Sequence, residues 1–224
     1  MEYMLLILLI MGASWAAGAM LRSKFDKYSR VLTSTGLSGK EIAEKMLRDN
    51  NIYDVQVISV PGKLTDHYNP LEKTVNLSPE VYHGRSVAAA AVAAHECGHA
   101  VQHARAYLWL QMRSALVPVI SVSSRWMQWI LLAGIVLLQF SVIPLTIGVA
   151  MFALTTLFSF ITLPVEFDAS RRALVWLESA RITTAQEKAM AKDALKWAAM
   201  TYVVAALSSL ATLLYYLSLL NRRR

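Results

Sequence analysis

Between Arg125 and Glu166 the chain carries no charged residue, and that stretch limits the fold more than any other. It holds two apolar runs, Trp126 to about Phe140 and Ile143 to about Leu163, divided around Ser141-Val142-Ile143-Pro144. Runs of this length suit helices that cross about 30 Å of hydrocarbon. With so short a link between them, the reading is a transmembrane helical hairpin over 126–163 that returns the chain to the side it left. Its upstream limit is open, because Ala115 to Val122 is also apolar and contains Pro118. Trp126 and Trp129 fit an interfacial belt.

The ends repeat the pattern. Tyr3 to Met20 is apolar and just long enough to span. Ala17-Gly18-Ala19 resembles a signal-peptidase site, but Glu2 and the lack of Lys or Arg before the run do not suit a signal peptide. Arg22, Lys24, Lys27 and Arg30 follow the run instead, so residues 1–22 read as an uncleaved anchor with the next segment in the cytoplasm. Thr184-Ala185-Gln186-Glu187 is a capping box opening a helix that passes from Lys188, Lys192, Asp193 and Lys196 into the apolar stretch Trp197 to Leu220. Arg222, Arg223 and Arg224 follow; if the last helix spans, they end outside, against the positive-inside rule, or the helix tilts or stops short. A net charge of +7 could suggest nucleic acid, but the basic residues flank hydrophobic runs instead of forming a recognition stripe. With 56% apolar and 17% charged residues among 224, a small domain plus membrane segments fits better than one ordinary soluble domain.

His95-Glu96-Cys97-Gly98-His99 lies in the alanine-rich run from Ser86 to Ala94. On a helix, residues i and i+4 leave the same face one turn apart, so both imidazoles can reach one Zn²⁺ at about 2.0–2.1 Å. Glu96 lies beside that face and can act as general base toward a water at the ion. Gly98, with the small Ala94 and Ala100, would let another backbone approach closely. The alternative is a chance match, two buried histidines on an apolar helix. Cys97, the single cysteine, faces away and reads as a packed thiol; no disulfide within the chain can form. His103 is too far along a straight helix to share the ion, and Gln102 and Arg105 occupy the positions where the longer three-histidine motif needs Gly and His.

Residues 23–125 read as a small α+β region. Ser38-Gly39-Lys40-Glu41 is a capping box for a helix to about Arg48, ended by Asp49-Asn50-Asn51. Val55 to Val60 and Lys73 to Leu77 read as strands, Asn69-Pro70 as a turn, and Ser78-Pro79 as a helix start. Ser86 is the expected N-cap of the histidine helix, which should run to about Ala106. A catalytic zinc needs a third protein ligand and one open position. The hairpin returns Glu166 and Asp168 beside the histidines, at the start of a helical segment placed in 164–197. Glu166 is the expected ligand, with Asp168 next in line or orienting a histidine or Arg172; the plain alternative is a pair of helix-start carboxylates. Residues 198–224 close the chain as a last helix and basic tail.

Four stretches, Leu64-Thr65-Asp66-His67-Tyr68, Lys73 to Ser78, His95 to Ala104 and Pro164 to Ser170, together resemble the YugP-type bacterial membrane zinc metallopeptidases, a neutral zinc metallopeptidase family. The resemblance covers nearly the whole chain. More distantly it is similar to the HtpX-type and CAAX-processing membrane proteases, which carry a third-ligand Glu after a hairpin, usually with Asp four residues later. Here that position is Ser170, and Asn69 stands where the YugP-type family commonly has Asp. The apolar runs make a mainly α-helical multi-pass protein of about four transmembrane helices, with both large segments in the cytoplasm by the positive-inside rule; the resemblance implies a zincin-like, gluzincin-like metallopeptidase domain there, at the inner (plasma) membrane. It further implies that Lys73 to Leu77 is the edge strand for an extended peptide, with His67, Tyr68 and Arg172 as candidates to stabilise the oxyanion.

The expectation is therefore a zinc endopeptidase with His95, His99 and Glu166 on Zn²⁺ and Glu96 as base. Its partners would be a protein or peptide substrate and the lipid bilayer, with no nucleic acid; a membrane-protein partner or homo-oligomer is compatible. A non-catalytic scaffold would instead close the metal with a fourth ligand, such as Asp168 or His67. A transporter would need polar groups within the spans, for which Gln139 and a few Ser and Thr are thin support.

Overall fold

The computed structural model describes residues 2–221; the Arg222–Arg224 tail lies outside them. The chain is mostly helical. In order it forms α1 (Glu2–Tyr28), α2 (Gly39–Asp49), β1 (Gln56–Ser59), β2 (His67–Asn69), β3 (Thr74–Leu77), α3 (Pro79–Tyr82), α4 (Val87–Ala104), α5 (Leu108–Val136), α6 (Ile143–Ser179) and α7 (Ala185–Asn221). α1, α5, α6 and α7 are each long and apolar enough to cross a membrane. Large apolar side chains stay exposed along them, among them Leu9, Trp15, Trp129, Val136 and Leu214. So much outward apolar surface fits lipid, not water.

Local signals place the shorter elements. The Ser38 hydroxyl accepts from the Glu41 N–H while the Glu41 carboxylate accepts from the Ser38 N–H, a reciprocal cap that starts α2. Ser86 caps α4 through the Ala89 N–H. Thr184 and Glu187 make the same exchange before α7. The chain leaves α2 through Asn51 at φ 59° and leaves α4 through Ala106 at φ 50°. α5 begins at Leu108, well before Trp126, and runs through Pro118, giving up one helical hydrogen bond there.

The sheet corrects one expectation. Its order is β1-β3-β2, with β1 and β3 parallel and β2 antiparallel to β3. The segment at Lys73–Leu77 is therefore the central strand, and all four residues of β3 are buried. The free edge beside α4 belongs to β2, a strand absent from the sequence reading. Ile42, Met46 and Leu47 of α2, Val75 and Leu77 of β3, and Leu177 of α6 pack around the alanine face of α4 in one core.

Two of the helix contacts that need glycine bear on the hairpin and the histidine helix. A Cβ on Gly98 would lie 2.6 Å from the Ala169 carbonyl oxygen and 3.0 Å from Ala169 Cα, so α4 meets the backbone of α6 directly. A Cβ on Gly134 would sit 2.5 Å from Leu145 Cα, which draws α5 against α6 beside the turn of the hairpin.

Candidate metal centre

The hairpin delivers its acid to the histidines. On α4 the His95 and His99 rings lie edge to face with centroids 4.8 Å apart. Both Nε2 atoms turn toward one oxygen of Glu166, with Oε2 at 3.3 Å from His95 and 3.6 Å from His99. Two atoms bonded at about 2.0–2.1 Å to one tetrahedral ion lie roughly 3.3–3.4 Å apart, so this two-nitrogen, one-oxygen set fits zinc. It is the one His/Cys/Asp/Glu group with that spacing among the described residues, all its donors lying within 4.8 Å of one another.

The other ring nitrogens are anchored. His95 Nδ1 lies 3.1 Å from Ser170 Oγ, and His99 Nδ1 lies 3.1 Å from Gln102 Oε1. Gln102 is fully buried, and its Nε2 donates to the Val165 carbonyl at 2.8 Å and to Asp168 Oδ2 at 3.0 Å. Because that NH₂ faces two acceptors, its oxygen must face His99. His99 then carries its proton on Nδ1 and keeps an Nε2 lone pair for the ion. Asp168 also accepts from Arg171 and Arg172. It thus orients His99 through Gln102, the second of the two roles that the sequence offered it. Ser170, read only as a departure from the distant families, holds the other histidine.

Glu96 is buried beside this group. Burial pushes its carboxyl up to about 7; nearby His95 holds it lower, and Glu166 pushes it higher. A base with a pKa near neutrality accepts a proton readily and gives it back. Around the cluster lies a cleft of about 410 Å³, lined on one side by β2 and its following turn and on the other by α5. Arg113 reaches from α5 with Nη1 3.5 Å from Glu166 Oε1, and Tyr202 of α7 lines the same space.

The three candidates for the oxyanion separate. Arg172 is a correction: Asp168 holds its Nε, the guanidinium lies over the Tyr107 ring, and it lines a different cavity away from the cluster. Its four-residue spacing from Asp168 turned it to that side. Tyr68 lines the cleft, but its hydroxyl is 2.8 Å from His103 Nδ1. His67 lines it too, with Nδ1 2.7 Å from the Thr65 carbonyl. Arg113 and Tyr202 were missed as site residues; nothing in their local spacing marks them, because only the packing of α5 and α7 brings them in.

Residues 3–221 match the model of a family described as "Putative neutral zinc metallopeptidase". The chain belongs to this family. The family implies Zn²⁺, which the His95, His99 and Glu166 donors suit. The chain is 41% identical over its full length, and over 99% of the relative's, to the "Putative membrane protease YugP" of Bacillus subtilis (strain 168). No solved structure gives a significant match to this chain.

Proposed function

We propose that the protein is a membrane-embedded zinc endopeptidase of gluzincin-like construction, cutting protein substrates at the cytoplasmic surface of the inner (plasma) membrane. The observation that carries this reading is the convergence of Glu166 with His95 and His99 while Glu96 stands beside them. His95, His99 and Glu166 would hold the zinc. When bound there, Zn²⁺ supplies Lewis acidity that polarises a peptide carbonyl and makes water more acidic. Glu96 takes a proton from the attacking water at its carboxylate oxygen and returns it to the leaving amine. Arg113 and Tyr202 are the groups placed to meet the developing negative charge. An extended substrate would add to the free edge of β2, gaining backbone hydrogen bonds.

The scaffold reading needs a fourth protein ligand, and its candidates are engaged elsewhere. Asp168 is held by Gln102, Arg171 and Arg172, and His67 by the Thr65 carbonyl. Length and charge support the cytoplasmic placement of a zincin-like domain. Ile143 to Glu166 rises about 35 Å along α6, a little more than the hydrocarbon thickness. Arg22, Lys24, Arg171, Arg172, Lys192 and Lys196 follow or precede the apolar runs at the cluster's end.

The test pairs metal analysis with turnover. Purified wild type should carry zinc and cut an unstructured protein such as casein, and Glu96→Gln should keep the zinc while losing cleavage. Wild type without zinc, or a Gln variant that still cuts, would overturn the assignment.

A further inference from the structure

A second cavity, of about 190 Å³, meets the cluster from the other side. It shares Asp66, His95, Glu96, Glu166 and Tyr202 with the first cleft, and the rest of its lining is its own. Its walls are Leu21 and Phe25 of α1, Val92 of α4, and Leu195, Ala198 and Ala199 of α7. Val92 lies one turn before His95 on α4, whereas the first cleft reaches His99 one turn further on, so the two spaces flank the cluster along that helix. The first cleft offers Arg113, His67 and Asn69. Among the described residues no Lys or Arg lines the second, and apart from Asp66 its only acids are Glu96 and Glu166.

An apolar cavity of about 150 Å³ is enough for a benzene ring, so this space suits one large aliphatic or aromatic side chain. Alanines at 198 and 199 keep it open; larger residues there would fill it. With Glu96 and His95 at its mouth, a side chain that enters belongs to a residue flanking the bond to be cut. We infer that the α1–α7 cavity is a specificity subsite, receiving a large apolar side chain (Leu, Phe or Met) of the substrate residue next to the scissile bond. This rests on the peptidase reading and adds the class of sequence it would select. Two membrane helices, α1 and α7, supply most of its lining, so the selected residue enters where those helices reach the cluster.

The test uses peptide hydroxamates, which bind a zinc ion without being cut, in matched forms carrying a Gly, Leu or Phe side chain. Calorimetry on the zinc-loaded full-length protein in detergent should show the Leu and Phe forms binding at least tenfold tighter than the Gly form. Ala198→Phe should erase that preference while zinc content and Gly-form affinity stay within about twofold. Leu21→Ala, which enlarges the cavity, should move the preference from Leu toward Phe and carries the test if Ala198→Phe does not fold. Casein fragments mapped by mass spectrometry should show Leu, Phe or Met at one fixed position beside the cuts, shifting to small residues in Ala198→Phe. Zinc-loaded wild type that binds all three hydroxamates equally, or variants with an unchanged preference, overturns the subsite and leaves the peptidase reading intact. Wild type without zinc overturns both.

Discussion

Gln102 does more for the metal than its position on the sequence suggests. Its amide ties His99 to Val165 and Asp168, so one side chain sets both the imidazole proton and the distance between α4 and α6. Gln102→Leu should therefore weaken zinc binding by about 10- to 100-fold, the usual cost of losing such a partner, read by competition with a chelator; Gln102→Glu, which sets an acceptor against the Val165 carbonyl and Asp168, should not restore it. Tyr202→Phe removes a hydroxyl from the cleft with little change in shape, and should lower kcat by about a hundredfold with zinc content unchanged. Cys97 is fully buried, and burial pushes its thiol well up. It should react with a thiol reagent only as the protein unfolds, with reaction tracking loss of helical signal across a denaturant series. The histidines were legible because their i, i+4 spacing is itself the geometry, and Glu166 because a hairpin returns the chain. Ser170 and Gln102 were not, since each acts on a residue of the other helix, and neither spacing nor composition says which faces of α4 and α6 will meet.

Among the elements, α4 was the easiest to read and β2 the hardest. α4 carries its cap, its alanine face and its histidines within one segment. β2 has three residues and no apolar alternation, and only its antiparallel pairing with β3 (His67 with Asn76, Tyr68 with Val75, Asn69 with Thr74) makes it a strand. That pairing moves β3 to the centre, which is why β3 is buried throughout and cannot serve as the edge. The close approach of α4 to α6 depends on Gly98. Gly98→Ala would place a methyl group 2.6 Å from the Ala169 carbonyl oxygen, forcing α6 outward. The expected cost is about 1–3 kcal/mol, with zinc affinity falling together with the melting temperature. A melting temperature that falls while zinc affinity holds would show that Glu166 tolerates the shift.

At the scale of the whole molecule, the four apolar helices and the acidic ligand form one device. In a Cys97→Ala background, Glu72→Cys lies beside the exposed turn after β2 and Val142→Cys lies at the exposed turn between α5 and α6. A membrane-impermeant maleimide should label the first only in inside-out vesicles and the second only in intact cells. Labelling of both from one side would contradict the proposed topology. The distance along the chain between the imidazoles and Glu166 carries a last consequence. While α5 and the first half of α6 are still being made, the ribosome-bound chain has the two imidazoles without Glu166. The three-donor group can therefore form only after residue 166 has been made and the α5–α6 hairpin has closed.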